Sequence, residues 1–167
     1  TSLSGACAVA AAVAKALDPN ATVDDLIKAG LYGAEFGEEY GIKIGKRLAC
    51  PSVYKRIKLA VDIAEKAYGN METAMKELSD IIGSGLSCAE AVPCAFGLLK
   101  AADGNAMKSI FGGVNIGNDT DTIATIVGAM AGTMQGSSAF PLEYLSIINN
   151  VNDYDLEYIA HELDRLS

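Results

Sequence analysis

Apolar residues recur along this chain three and four positions apart, in block after block separated by short polar breaks. That spacing is the period of helices with one buried face. The first block, Gly5 to Leu17, is alanine-rich and stops at Asp18, Pro19 and Asn20, which form a turn. Thr22 and Asp25 stand at capping-box positions and open a second block running to about Leu48. Cys50-Pro51 breaks the chain, Ser52 caps a helix reaching Tyr68, and Gly69-Asn70 turns into Met71 to Ile82. The Gly83–Gly85 break separates that helix from Ser87 to Ala102, and Asp103–Asn105 leads to a short helix ending near Gly112 and Gly113. A helix follows Asp119, and two more span Pro141 to Asn150 and Asp153 to Leu166. Strand-like alternation bounded by turns is missing throughout. The expectation is an all-α protein.

Two sets of glycines interrupt this pattern. Those at 30, 33, 37, 41 and 45 fall on nearly one face of the second helix, and Gly128, Gly132 and Gly136 repeat the spacing later. A glycine inside a helix costs about 1 kcal/mol against alanine. Both sets therefore predict close approach of another helix or a ligand to the backbone.

With 167 residues the chain suits one domain, large enough to bury a core. A net charge of −8 argues against nucleic acid as a partner, since that binding rests on a positive field. The longest apolar run, Ala6 to Val13, meets Lys15 far short of the ~20 residues a membrane span needs. Cys7, Cys50, Cys88 and Cys94 form no C-x-x-C pair. They are expected to be reduced and mostly buried thiols of a cytoplasmic protein.

The most chemically suggestive stretch is Asn115 to Ile123. Asp119, Asp121 and Thr122 place three hard oxygen donors within four residues, ahead of apolar residues at 123, 126, 127, 130, 131 and 134. Carboxylates so placed suit a hard cation such as Mg²⁺ or Mn²⁺. They also suit a helix N-cap and the helix dipole, and the motif alone leaves both readings open. An EF-hand is excluded, because Ile123 would occupy its fifth position and no glycine follows at the sixth.

Residues 117–132, from Gly117 and Asn118 through Asp119, Asp121 and Thr122 to Gly132, resemble the C-terminal signature of the ADP-ribosylglycohydrolases. That family includes dinitrogenase reductase-activating glycohydrolase and crystallin J1. Weaker pieces are similar too: Thr1-Ser2 before an alanine-rich helix, Leu31–Glu35, Pro51–Tyr54, Gly85–Ser87, Ala89–Pro93 and Pro141. The resemblance implies an orthogonal multi-helix bundle matched to the family's C-terminal half, with residues 1–167 as one helical domain. It implies hydrolysis of the glycosidic bond between ADP-ribose and a small-molecule or protein acceptor, with two Mg²⁺ or Mn²⁺ ions. Asp119 and Asp121 would be the catalytic carboxylates. Asp119 and Thr122 would hold one ion and Asp121 would bridge both. Asn115, Gly117 and Asn118 would shape the substrate loop, joined by Thr1 and Ser2 where many relatives carry Thr-His. The family's acidic Thr-Asp-Asp-type motif does not occur in this chain. Ligands for the second ion are therefore expected from a companion N-terminal half or a second copy of the chain. A crystallin-like relative that keeps the fold without catalysis is the alternative.

Other candidates read more simply. Gly83–Cys88 lacks the last glycine of a dinucleotide loop and follows a helix, so it reads as a helix C-cap joined to an N-cap at Ser87. His161, the one histidine, lies on an acidic helix and is expected at the surface. Lys43, Lys46, Arg47, Lys55, Arg56 and Lys58 form a basic run; Lys46 and Arg47 are expected to offset a helix C-terminus and the others to sit in solvent. Glu38 and Glu39 are adjacent, point about 100° apart on a helix and are expected to be solvated.

Overall fold

A computed structural model describes residues 1–45, 49–67 and 69–166. They form nine α-helices and one 3₁₀ turn: α1 (Ser2–Ala16), α2 (Val23–Ile44), α3 (Val53–Lys66), α4 (Met71–Ile81), α5 (Cys88–Ala101), α6 (Ala106–Asn115), α7 (Thr120–Gln135), the turn Ser137–Ala139, α8 (Leu142–Asn152) and α9 (Leu156–Asp164). The all-α expectation holds. Two compact units emerge, residues 1–136 and 137–167. In the second unit α8 ends at Asp153, whose φ of 56° lies in the left-handed region, and Asp155 caps α9 through Tyr158 N at 2.9 Å. His161 is exposed on α9. Among the described residues no helix is long and apolar enough to cross a membrane.

The first unit is built around α5, which packs against α1, α2, α3, α4, α6 and α7. Ala89 and every residue from Ala91 to Leu99 are buried. Leu26, Ile57, Leu78, Phe96, Leu98, Ile123, Val127 and Met130 are fully enclosed around it. Local signals start the helices as expected. Thr22 and Asp25 form the complete capping box of α2, while Ser52, Asn70, Ser87 and Asn105 each accept a backbone N–H of the helix they open.

Close packing explains three of the five α2 glycines, two against α1 and one against Phe96 of α5. A Cβ on Gly33 would lie 2.2 Å from the Cys7 carbonyl oxygen, one on Gly37 2.4 Å from that of Leu3, and one on Gly30 2.4 Å from the Phe96 ring. Gly41 and Gly45 depart from the expectation. A Cβ at 41 meets only a Leu3 methyl at 3.6 Å, and Gly45 ends the helix against its own chain. In the later set Gly128 faces Ile110 at 3.4 Å, whereas Gly136 has nothing within 4 Å and serves a φ of 76°. The described part of α2 ends at Ile44; Lys46, Arg47 and Leu48 lie outside the described residues, as does Tyr68.

Three further expectations need correction. Helix α6 does not stop near Gly112 but runs through it to Asn115. The glycine pair is there for packing, since a Cβ on Gly113 would lie 2.6 Å from Ala124 Cα of α7. Of the four cysteines only Cys94 is buried; Cys7 and Cys88 are half-buried and Cys50 is exposed. Arg56 is not a solvent charge. It is half-buried and donates from one terminal nitrogen to the Ile82 carbonyl at 3.1 Å and the Ala89 carbonyl at 2.9 Å.

The second Arg56 bond has a cause in the sequence. Pro93 lies inside α5 and has no N–H for the carbonyl four residues back, which is that of Ala89. Arg56 takes the place of that missing donor. Arg56→Met is expected to destabilise the fold by about 2 kcal/mol or more, because two carbonyls lose a charged donor. Pro93→Ala returns an N–H to Ala89, so in the Arg56→Met background it should recover about 1 kcal/mol more than it does alone. Denaturant unfolding of the four proteins checks this, and strictly additive effects would refute the shared carbonyl.

Candidate functional site

The turn from α6 into α7 is made by Gly117 and Asn118, with φ of 90° and 62°. Both are left-handed, a conformation that glycine adopts freely and asparagine tolerates best among the others. This pair turns the chain so that Asp119 occupies the N-cap position of α7, where its carbonyl accepts from Ile123 N at 3.2 Å. Its own N–H donates to the Ser84 carbonyl at 2.9 Å, which ties the turn to the segment between α4 and α5.

The Asp119 side chain behaves unlike a cap. It accepts no backbone N–H from α7, although those first-turn amides are what an N-cap aspartate ordinarily binds. Instead Oδ1 accepts from the Thr122 hydroxyl at 3.0 Å, and the residue is only 8 % exposed. Asp121 and Thr122 are exposed in the first turn. Thr125 and Ala129 continue that open stripe along α7, while Ile123, Val127, Met130 and Ala131 face the core. The helix is thus not wrapped on all sides: Asp121, Thr122 and one flank face outward, while Asp119 stays enclosed.

The structure brings Asp119 and Thr122 into contact and sets Asp121 between them in sequence. Asn115 is directed elsewhere, since its amide nitrogen bonds the Phe111 carbonyl one turn back at 2.8 Å. Asn118 stands beside Gly85, whose Cβ would lie 3.3 Å from the asparagine amide nitrogen. Thr1 precedes α1, and its hydroxyl contacts the Cys50 thiol. Ser2 is exposed at the first position of α1. The start of α5 links the two regions, because the Cys88 thiol donates to the Thr1 carbonyl at 3.8 Å. Beside Thr1 opens a small cleft lined by Ser4, Glu38, Cys50, Pro51, Ser52 and Val53. Glu38 is half-buried there, accepting from the Ser52 hydroxyl at 3.2 Å, so it is not the solvated carboxylate expected; Glu39 is exposed.

Burial raises the Cys94 thiol to about 12, with the Glu90 carboxylate adding and Arg56 opposing. The thiol keeps its proton and donates to the Gly83 carbonyl at 3.1 Å. Burial also raises the pKa of Cys88. Neither is an activated nucleophile, which requires a stabilised thiolate.

Asp119, Asp121 and Thr122 offer two carboxylates and a hydroxyl, the donor chemistry of Mg²⁺ or Mn²⁺. The enclosed Asp119 carboxylate, not spent on capping, fits such an ion. Among the described residues, however, no group of three or more His, Cys, Asp or Glu side chains assembles to hold a metal. What is present fits part of a metal site, and six-fold coordination needs further oxygens.

The described residues thus form an all-helical framework with an enclosed Asp119 carboxylate and an exposed Asp121–Thr122 pair at the start of one helix. This chain belongs to the ADP-ribosylglycohydrolase family, whose model matches residues 1–167. It is 28% identical over 166 residues to the Escherichia coli (strain K12) protein YegU, described as uncharacterized, covering 96% of this chain and 46% of that protein. It is 29% identical over 108 residues to ADP-ribosylhydrolase ARH3 of Danio rerio, covering 60% of this chain and 29% of that protein. The chain thus spans less than half the length of each of these relatives. No solved structure matches it significantly.

Proposed function

We propose that this chain contributes one part of a metal-dependent ADP-ribosylglycohydrolase site, with Asp119, Asp121 and Thr122 as ligands to hard cations. The observation that carries the reading is the Asp119 carboxylate, enclosed at a helix start, bonded to Thr122 and left out of capping. Bound Mg²⁺ or Mn²⁺ would supply Lewis acidity toward the sugar oxygens at the glycosidic bond between ADP-ribose and its acceptor. The chain's own residues do the positioning. Asn118 and Gly117 set the turn, Ser84 holds the Asp119 amide, and Thr122 orients the carboxylate. Thr1 and Ser2 would meet the substrate from the start of α1.

The remaining ligands come from a companion, either the rest of a longer chain or a second copy. The outward aromatic row of α2 supports this: Tyr32, Phe36 and Tyr40 are 70%, 55% and 49% exposed, and the rings of Phe36 and Tyr40 stack at 6.4 Å. Large exposed apolar areas mark contact surfaces. The test is to assay ADP-ribose release from an ADP-ribosylated peptide with Mg²⁺ or Mn²⁺. The 167-residue chain is tried alone and together with a polypeptide covering the other half of its relatives' length. Release only from the combination, abolished by chelator, is expected. Full activity from the isolated monomer would overturn the need for a companion, and none from either would favour the non-catalytic, crystallin-like reading.

A further inference from the structure

The segment Ile82–Gly85 is held at each residue by a different group. Arg56 bonds the Ile82 carbonyl at 3.1 Å, Cys94 the Gly83 carbonyl at 3.1 Å, and the Asp119 amide the Ser84 carbonyl at 2.9 Å. The Ser84 hydroxyl lies 3.2 Å from that of Ser79, and the Gly85 N–H donates to Glu90 Oε2 at 3.0 Å. Four of these contacts fasten the segment to α3, α4 and α5. The fifth hands its position to the carboxylate turn. A Cβ on Gly83 would lie 2.9 Å from Glu90 Oε2 and one on Gly85 2.7 Å from it, so the carboxylate fits only because both residues are glycine. Asn118 closes on Gly85 from the other side.

We propose that Glu90 is a positioning residue of the site: its carboxylate fixes Gly85, and thereby keeps the Ser84 carbonyl on the Asp119 amide. This rests on the reading of Asp119 as a metal ligand. Glu90 touches neither substrate nor ion; it acts through two backbone groups. The role needs an acceptor oxygen at the reach of a glutamate side chain, and it needs no charge. Glutamine can therefore replace it, whereas aspartate, one methylene shorter, cannot.

Amide hydrogen exchange of the 167-residue chain and Mn²⁺ titration of that chain combined with its companion half test this together. In metal-free Glu90→Asp and Glu90→Ala, the Asp119 amide should exchange about tenfold faster, the loss of one hydrogen bond's worth of protection. Protection at Leu98 and Val127 should stay unchanged, and Glu90→Gln should match wild type. Glu90→Asp retains charge and near-native size, so it serves if the alanine variant fails to fold. Mn²⁺ affinity, read by electron paramagnetic resonance, should fall about tenfold in parallel with the lost protection. Unchanged Asp119 exchange in Glu90→Asp would overturn the proposal, as would equal loss of protection at all three amides. Unchanged Mn²⁺ affinity in Asp119→Ala would instead overturn the metal reading, leaving the exchange result to decide the role of Glu90.

Discussion

Asp119→Asn, in the chain combined with its companion half, is expected to lower metal-dependent ADP-ribose release by about a thousandfold, because losing an anionic ligand costs several kcal/mol of transition-state stabilisation. The asparagine variant separates the two readings of the motif more sharply than alanine does. As N-caps asparagine and aspartate are nearly equivalent, and asparagine can still accept from the Thr122 hydroxyl now bonded at 3.0 Å. A capping role thus predicts unchanged stability and unchanged activity. A ligand role predicts unchanged thermal unfolding in chelator, lost activity, and a lost rise of the unfolding temperature with Mn²⁺. Activity within twofold of wild type would return Asp119 to the status of a cap.

Substitution of alanine for two glycines on one helix should move stability in opposite directions. At Gly33 a Cβ would sit 2.2 Å from the Cys7 carbonyl oxygen and 2.7 Å from its carbon. Those are backbone atoms, so α1 and α2 must separate, and Gly33→Ala should destabilise by about 3 kcal/mol or more. At Gly41 the nearest atom is a flexible Leu3 methyl at 3.6 Å, and alanine gains up to about 1 kcal/mol of helix propensity there. Urea midpoints of the two variants decide it. A shift of the same sign and size in both would mean that α1 and α2 are not in backbone contact.

The contrast between those positions shows where sequence reasoning reached and where it stopped. Helix starts were legible because their signals are local: Thr22 with Asp25, Ser52, Asn70 and Ser87 act within three residues of themselves. The glycine ladder of α2 announced a close neighbour, but spacing alone did not reveal that Phe96 of α5 meets Gly30, that α1 covers 33 and 37, and that 41 is left open. The reading of Gly112–Gly113 as a helix end failed for the same reason, since the demand for glycine there comes from Ala124, eleven residues later than Gly113. Arg56 and Glu90 were missed as structural groups because their partners are carbonyls and amides, which carry no residue-type signal. In the site, the chemistry of Asp119, Asp121 and Thr122 was legible in their donor atoms. The idle capping position of Asp119 required the backbone.

The Arg56–Ala89–Pro93 arrangement also orders the routes by which this sequence can drift. If Pro93 is replaced first, the helix regains its own N–H for Ala89, and Arg56 keeps the Ile82 carbonyl. That intermediate is expected to stay folded, with the arginine needed by one carbonyl instead of two. If Arg56 is replaced first, both carbonyls lose their donor while the proline still has none to offer. The first route is therefore expected to cost less stability than the second. The two positions, 37 residues apart, are thereby expected to be coupled through the Ala89 carbonyl, with the proline the easier of the two to lose first.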